Sequence, residues 1–129
     1  MTQVSKMQTS VRRGDIVVVN LDGAEGSEKQ NDPKFGVRPC LIVQNDKGNE
    51  MSPLTIIAPL SESRQNKGLP VQVAVTAAEL GLDDGKNLVV ECGHLRSIDG
   101  DLRVWKRLGT LDPEAMKRVD AAIIISLGL

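Results

Sequence analysis

The chain has 129 residues, a net charge of −1 and a pI of about 5.8. This length corresponds to one ordinary domain, which can bury a core without disulfides or a structural metal. The near-neutral charge excludes a general nucleic-acid coat protein, because such proteins carry broad basic surfaces, but it allows a local groove built from a few arginines. No apolar run reaches the ~20 residues of a membrane span, and residues 1–10 lack the apolar core of a secretion signal.

Short β-branched and apolar runs predict about six strands, and residues 1–11 ahead of them are expected to be a flexible tail. Residues 12–129 are predicted to form a single domain. Pro59 predicts an edge or a bulge. Three polar stretches are expected to be loops or turns, at residues 22–35, 45–53 and 61–68. The predicted strands are 16–21, 38–44, 54–60, 69–75, 87–92 (continuing loosely to 98) and 104–111.

Two helices are predicted from their N-terminal signals. The run from Thr76 to Glu79 has capping-box spacing and indicates one helical turn. Asp112 and Pro113 are typical of an N-cap followed by the first helical residue, so a C-terminal helix begins there. Strands joined by loops predict an antiparallel sheet that curls toward a small barrel, mainly β with one C-terminal helix. The helix face is predicted to contain Met116, Val119, Ile123 and Leu127, with Ile124 and Ile125 partly off it.

Few residues can carry chemistry. Cys40 and Cys92 lie in apolar runs and are expected to be reduced core residues, which favours a cytoplasmic protein. Cys92 and His94 are not joined by a second ligand cluster, so neither a metal nor any other cofactor is expected. Arg38 heads an apolar strand and is either a solvated strand end or an anion clamp. Ser61 ends another strand and is, taken alone, a turn former.

Several short motifs occur in order along nearly the whole domain. They are Arg13-Gly14-Asp15 before a strand, Gly26-Ser27-Glu28, Gly36-Val37-Arg38-Pro39, Gln44-Asn45-Asp46, Arg96-Ser97-Ile98-Asp99 and the tail from Val119-Asp120 to Leu127. Together they resemble the MazF/PemK family of bacterial toxins.

That resemblance implies a strongly bent antiparallel sheet of the small SH3-like barrel type with a C-terminal helix, in a homodimer. It also implies metal-independent cleavage of single-stranded RNA, giving a 2′,3′-cyclic phosphate and a 5′-hydroxyl, and inhibition by the acidic, flexible tail of a cognate antitoxin. The family's catalytic arginine corresponds to Arg38, and its catalytic threonine to Ser61. The candidate RNA-binding residues are Ser27, Glu28, Asn45, Glu91 and His94.

Two departures from the family pattern bear on function. The loop at 22–35 is longer by about four residues, with Asn31 to Lys34 as the apparent insertion, so RNA sequence preference is expected to differ. The family often has an acidic residue at the position of Gly93, and here only Glu91 and His94 flank it. The identity of the general base is therefore left open: it is Glu91, His94 or neither of them. The leading alternative function is a non-catalytic toxin of the same fold, such as a CcdB-like gyrase poison, and a peptide-binding β-barrel is a third.

Overall fold

The computed structural model describes residues 11–129, and residues 1–10 of the expected flexible tail at 1–11 lie outside them. The described chain forms one seven-stranded antiparallel sheet with the strand order β4-β5-β3-β2-β1-β7, and β6 pairs with β3 beside this path. β4 and β7 end the path, so among the described residues the sheet is bent but not closed into a barrel. The strands are β1 (Asp15–Val19), β2 (Arg38–Ile42), β3 (Leu54–Glu62), β4 (Gln72–Val75), β5 (Leu88–Glu91), β6 (Arg96–Asp99) and β7 (Val104–Thr110).

The helices are short except for the last. They are α1 (Asp46–Met51), α2 (Ala77–Leu80), α3 (Gly100–Arg103) and α4 (Pro113–Leu127), and a 3-10 turn spans Ser63–Gln65. The predicted signals at α2 and α4 are confirmed. Thr76 and Glu79 form a capping box, and the Asp112 side chain accepts from the amides of Glu114 and Ala115. No helix in the described part of the chain is long and apolar enough to cross a membrane.

The central strand β3 explains the bend of the sheet. Its first half pairs with β6 up to Ile57, and its last residues pair with β5 from Leu60 onward. Pro59 has no backbone N–H to donate, and it lies in the gap between these two partners. Of the two predicted meanings of Pro59, an edge or a bulge, the edge strand is wrong, because β3 also pairs with β2 at this residue. The proline instead lies where the strand changes partner.

The two faces of the sheet carry separate cores. One face packs under α4 through Ala115, Met116, Val119 and Ala122. The opposite face packs a second cluster that includes Val17, Cys40 and Ile57. Val11 joins this second cluster at 9 % exposure, which corrects its assignment to the tail. Because successive residues on a strand alternate between faces, the central strands β1, β2 and β3 contribute to both cores.

Four local predictions need correction. The stretch 45–53 is not only a turn, because it contains α1. The run from 87 to 98 is two strands separated by a turn, not one loose strand, and six strands become seven. Leu69 precedes β4 and is exposed instead of lying in the core with Val73 and Val75. Leu127 is 57 % exposed, so it does not belong to the packing face of α4.

Candidate active site

Arg38 and Ser61 lie side by side on the sheet face opposite α4. Cys40 of β2 is paired with Pro59 of β3, and the same register extended by two residues sets Arg38 opposite Ser61. The Arg38 guanidinium donates through Nη1 to the carbonyl oxygen of Leu60 at 2.9 Å. That carbonyl directly precedes Ser61. The two side chains that were candidates for chemistry from the sequence are thus brought together by strand pairing.

The Ser61 hydroxyl is buried but has no partner. The residue is 2 % exposed, and its Oγ makes no hydrogen bond to any residue in the described range. Leaving a buried hydroxyl unsatisfied costs about 1–3 kcal/mol, so such groups in a native structure require an explanation. The missing partner is explained if the Ser61 hydroxyl is free to donate to a ligand that also binds the Arg38 guanidinium.

The middle of the long loop lies against Arg38 and Glu91. Arg38 Nε donates to the carbonyl oxygen of Gln30 at 2.5 Å, and Lys29 Nζ lies 3.7 Å from the Glu91 carboxylate. Asn31 anchors the same segment, because its Oδ1 accepts from the amide of Leu21 at 2.7 Å. Residues 29–31 therefore lie against the site instead of standing away from it.

Glu91 faces the same side of the sheet as Ser61. Ser61 pairs with Val89, and Glu91 is two residues further along β5 on the same face. The carboxylate is almost fully buried, and Gln72 Nε2 donates to its two oxygens at 3.2 and 3.4 Å. With Lys29 also beside it, the charge of Glu91 is compensated on two sides.

The side chain of His94 lines the same cleft as that of Glu91. β5 ends at Glu91, and the His94 amide donates to the Glu91 carbonyl at 3.1 Å to close a turn. Neither a regular strand nor a strand bulge at Gly93 describes this stretch, so strand alternation does not apply to His94. Both side chains line an open cleft of about 270 Å³. Its other lining residues are Lys29, Gln65, Lys67, Leu69, Val71, Gln72 and Gly93.

Space beside Gly93 is limited by Val71. A Cβ atom built at Gly93 would lie 3.1 Å from Val71 Cγ2, which is tighter than ordinary contact. A side chain at this position would require Val71 to shift by a few tenths of an ångström. Glu91 is instead the carboxylate that the fold directs into the cleft.

The other candidate RNA-binding residues lie apart from this cluster or at its edge. Ser27 and Glu28 are exposed on the long loop, directly before Lys29, and Glu28 Oε1 accepts from the Glu25 amide at 3.0 Å. Asn45 follows the opposite end of β2 from Arg38. Its side chain caps α1 by accepting from the Gly48 amide at 2.8 Å. The fold does not bring Asn45 together with Arg38 and Ser61.

The two thiols are inert at neutral pH, as expected for core residues. Both are free and buried. Burial raises the pKa of Cys40 to about 12, against an opposing effect of the nearby Arg38 and Arg96. Burial, with the charges of Glu91 and Asp120, raises the pKa of Cys92 to about 12. Since the thiolate is the reactive form, neither cysteine is a nucleophile here.

Two further residues at the site were not found from the sequence. Lys29 lies within a polar loop, where no periodicity indicates which side chain turns inward. Gln72 shares a strand with Val73 and Val75, and the alternation did place it on the opposite face, which was the available signal. Across residues 11–129, no group of three or more His, Cys, Asp or Glu side chains is arranged to hold a metal ion.

Comparison with known proteins places these residues in a family context. Residues 12–127 match the model of the PemK-like, MazF-like toxin of type II toxin–antitoxin systems. The chain is 37 % identical to the endoribonuclease EndoA of Bacillus subtilis over 119 residues, which cover 92 % of this chain and 96 % of that protein. Its fold is similar to MazF from Deinococcus radiodurans, with a TM-score of 0.74, 22 % identity and 95 % and 100 % of the two chains covered. It is also similar to a mycobacterial endoribonuclease solved with its cognate antitoxin, with a TM-score of 0.70, 22 % identity and 93 % and 97 % coverage.

Proposed function

This chain belongs to the PemK-like, MazF-like toxin family of type II toxin–antitoxin systems, and from that premise we propose that it is an endoribonuclease that cuts single-stranded RNA without a metal ion. The observation that carries the proposal is the unpartnered, buried Ser61 hydroxyl beside the Arg38 guanidinium. A donor and a fixed cation side by side match the needs of a scissile phosphate, whose charge rises in the transition state.

The reaction uses the RNA's own nucleophile. A base removes the proton of a 2′-hydroxyl, and the 2′-oxygen forms a bond to the adjacent phosphorus while the bond from phosphorus to the 5′-oxygen breaks. The leaving oxygen takes up a proton. Arg38 holds two phosphate oxygens through its planar fork, and Ser61 donates to one of them. The products are a 2′,3′-cyclic phosphate and a 5′-hydroxyl.

Binding of RNA requires the long loop to shift. In the structure Arg38 Nε is engaged with the Gln30 carbonyl, and Ser61 Oγ is sealed from solvent. A phosphate that binds Arg38 Nε must displace the Gln30 carbonyl, and one that binds Ser61 must reach an oxygen that is closed to solvent in this structure. A phosphate oxygen of the RNA then takes the place of the Gln30 carbonyl oxygen. Because the phosphate is charged, it makes the stronger hydrogen bond to the Arg38 guanidinium. Ser27 and Glu28 move with the loop and are proposed to contact the RNA.

Glu91 and His94 are the proposed candidates for the base. Glu91 lies on the Ser61 face but is held by Gln72 and by Lys29. Because Lys29 lies beside the Glu91 carboxylate, contact between RNA and Glu91 requires Lys29 to move with the loop, so opening of the loop and access to Glu91 are linked. His94 lines the same cleft without needing that movement.

The test is incubation of the pure protein with single-stranded RNA in excess EDTA. Cleavage with 2′,3′-cyclic phosphate and 5′-hydroxyl ends supports the proposal, and the same RNA in a duplex is expected to resist. Intact RNA together with inhibition of gyrase in a supercoiling assay would favour the CcdB-like alternative instead.

We further propose that the protein works in the cytoplasm as a homodimer that a cognate antitoxin inhibits. A mycobacterial relative of the same fold is described in complex with its cognate antitoxin. The end of α4 carries a C-terminal apolar patch, which consists of Ile124, Ile125, Leu127 and Leu129, each at least half exposed. A patch of this kind is expected to be covered by a partner. Light scattering at micromolar concentration should give twice the monomer mass of 13.9 kDa, and a monomer would refute the dimer.

A further inference from the structure

Phe35 is an exposed aromatic side chain on the loop that covers the site. The chain has only two aromatic residues, Phe35 and Trp105. Phe35 is 68 % exposed, and the Lys34 ammonium lies 5.3 Å from the centre of its ring. The ammonium occupies only one side of a flat ring, and the large exposed fraction shows that the remainder is open to solvent. An open aromatic face beside a cation suits a nucleobase attached to a phosphate.

The backbone around Phe35 is well held despite the exposure of the ring. The Asp32 amide donates to the Val37 carbonyl at 3.1 Å, which closes the turn at its base. The Phe35 and Gly36 amides donate to the Asp32 carbonyl at 3.2 and 2.7 Å. Gly36 has a φ of +72°, which suits glycine and lets the chain reverse at this point. The ring is therefore presented by an organised turn.

This turn is close to Arg38 along the chain. Three residues span at most ~11 Å, so the Cα atom of Phe35 lies within that distance of the Cα atom of Arg38. A ring at that range from the proposed phosphate clamp is within reach of a nucleotide flanking the scissile bond. The turn also contains the apparent insertion from Asn31 to Lys34, which is the part of the loop that departs from the family pattern.

We propose that Phe35 is a stacking platform for one base next to the scissile phosphate, with Lys34 placed to attract the phosphate of the same nucleotide. The inference rests on the proposed ribonuclease function. Phe35 is then the position near the site at which this protein, which has few aromatic residues, stacks against the π-face of a base. Because every base has such a face, Phe35 contributes to affinity and to the position of the RNA in the site, and it contributes little to the choice of base. Base choice then depends on hydrogen bonds elsewhere in the site.

The experiment begins with the cleavage site of the wild-type protein on a single-stranded RNA. The same RNA is then made with a 2′-deoxy sugar at the cut nucleotide, so that binding is measured without cleavage. Stacking on an aromatic side chain is worth about 1–3 kcal/mol per base, so Phe35→Ala should raise Kd about 5- to 150-fold. Phe35→Trp should restore binding. Met51→Ala is the matched control, because Met51 is 74 % exposed on α1, beyond the opposite end of β2, and its loss should leave Kd unchanged.

A double-mutant cycle with abasic RNA identifies the stacked base. One abasic substitution beside the cut nucleotide should weaken wild-type binding by a similar factor and should barely affect Phe35→Ala, because the partner of that base is already gone. Wild-type affinity in Phe35→Ala, or losses that multiply at every abasic position, would overturn the proposal. A loss of affinity accompanied by dissociation of the dimer would also overturn it, since Phe35 would then contact protein. If the wild-type protein leaves RNA uncut, the proposed function fails instead, and the two failures are distinguishable.

Discussion

Replacing Ser61 with alanine separates catalysis from stability. Ser61 Oγ makes no hydrogen bond within the described chain and is fully buried, so Ser61→Ala breaks no native contact of that atom. Removing an unsatisfied buried hydroxyl relieves a desolvation cost of about 1–3 kcal/mol, offset in part by the small cavity left behind. We therefore expect the melting temperature to stay the same or to rise.

The same substitution should strongly reduce turnover. A preorganised donor to a transition-state oxyanion is worth about 2.7–4 kcal/mol, so kcat should fall roughly 100- to 1,000-fold. Ser61→Thr keeps the hydroxyl on a β-branched side chain that suits a strand, and it should retain activity. The assay is single-turnover cleavage of a fluorescent RNA, with thermal unfolding measured on the same samples. Equal rates in all three proteins would show that Ser61 is only a structural residue, and a large fall in melting temperature would contradict the reasoning about its unpaired oxygen.

The remaining predictions concern five other side chains. Arg38→Ala should abolish most cleavage, and it should lower the melting temperature by only a few degrees, because the side chain makes just two hydrogen bonds among residues 11–129, both to backbone carbonyls. Arg38→Lys keeps the charge but loses the planar fork of the guanidinium, so it should also be slow. Wild-type turnover in either variant would contradict the role of Arg38 as a phosphate clamp. If His94 is the base, His94→Gln should lose most of the cleavage rate and Glu91→Gln should keep it, whereas the reverse result is expected if Glu91 is the base. Normal cleavage by the double variant would exclude both, and Lys29 and Lys67 are the other charged groups facing this cleft. Cys40 and Cys92, whose pKa values burial raises to about 12, should react with a thiol reagent at pH 8 only after unfolding, and rapid labelling of the native protein would refute their burial.

Local sequence determined the elements whose signals lie within a few residues. The β-branched run at 16–19 forms a strand, Thr76 and Glu79 form their capping box, and Asp112 starts α4, because propensity and capping act over one turn or one strand. α1 escaped prediction because its polar sequence has no apolar face, although Asn45 is a typical cap. Recognition of Arg38 and Ser61 came from motif order, not from any local physical signal.

Only the tertiary structure decided how the candidate residues meet. Strand pairing sets Arg38 beside Ser61 and directs Glu91 onto the same face, although the three are spread over more than 50 residues of sequence. The pairing of Lys29 with Glu91 joins a loop to a strand, and loop side chains follow no period that sequence could reveal. Contacts between strands depend on the register of segments from distant parts of the chain, and a one-residue slip of one strand would turn that strand's side chains to the other face.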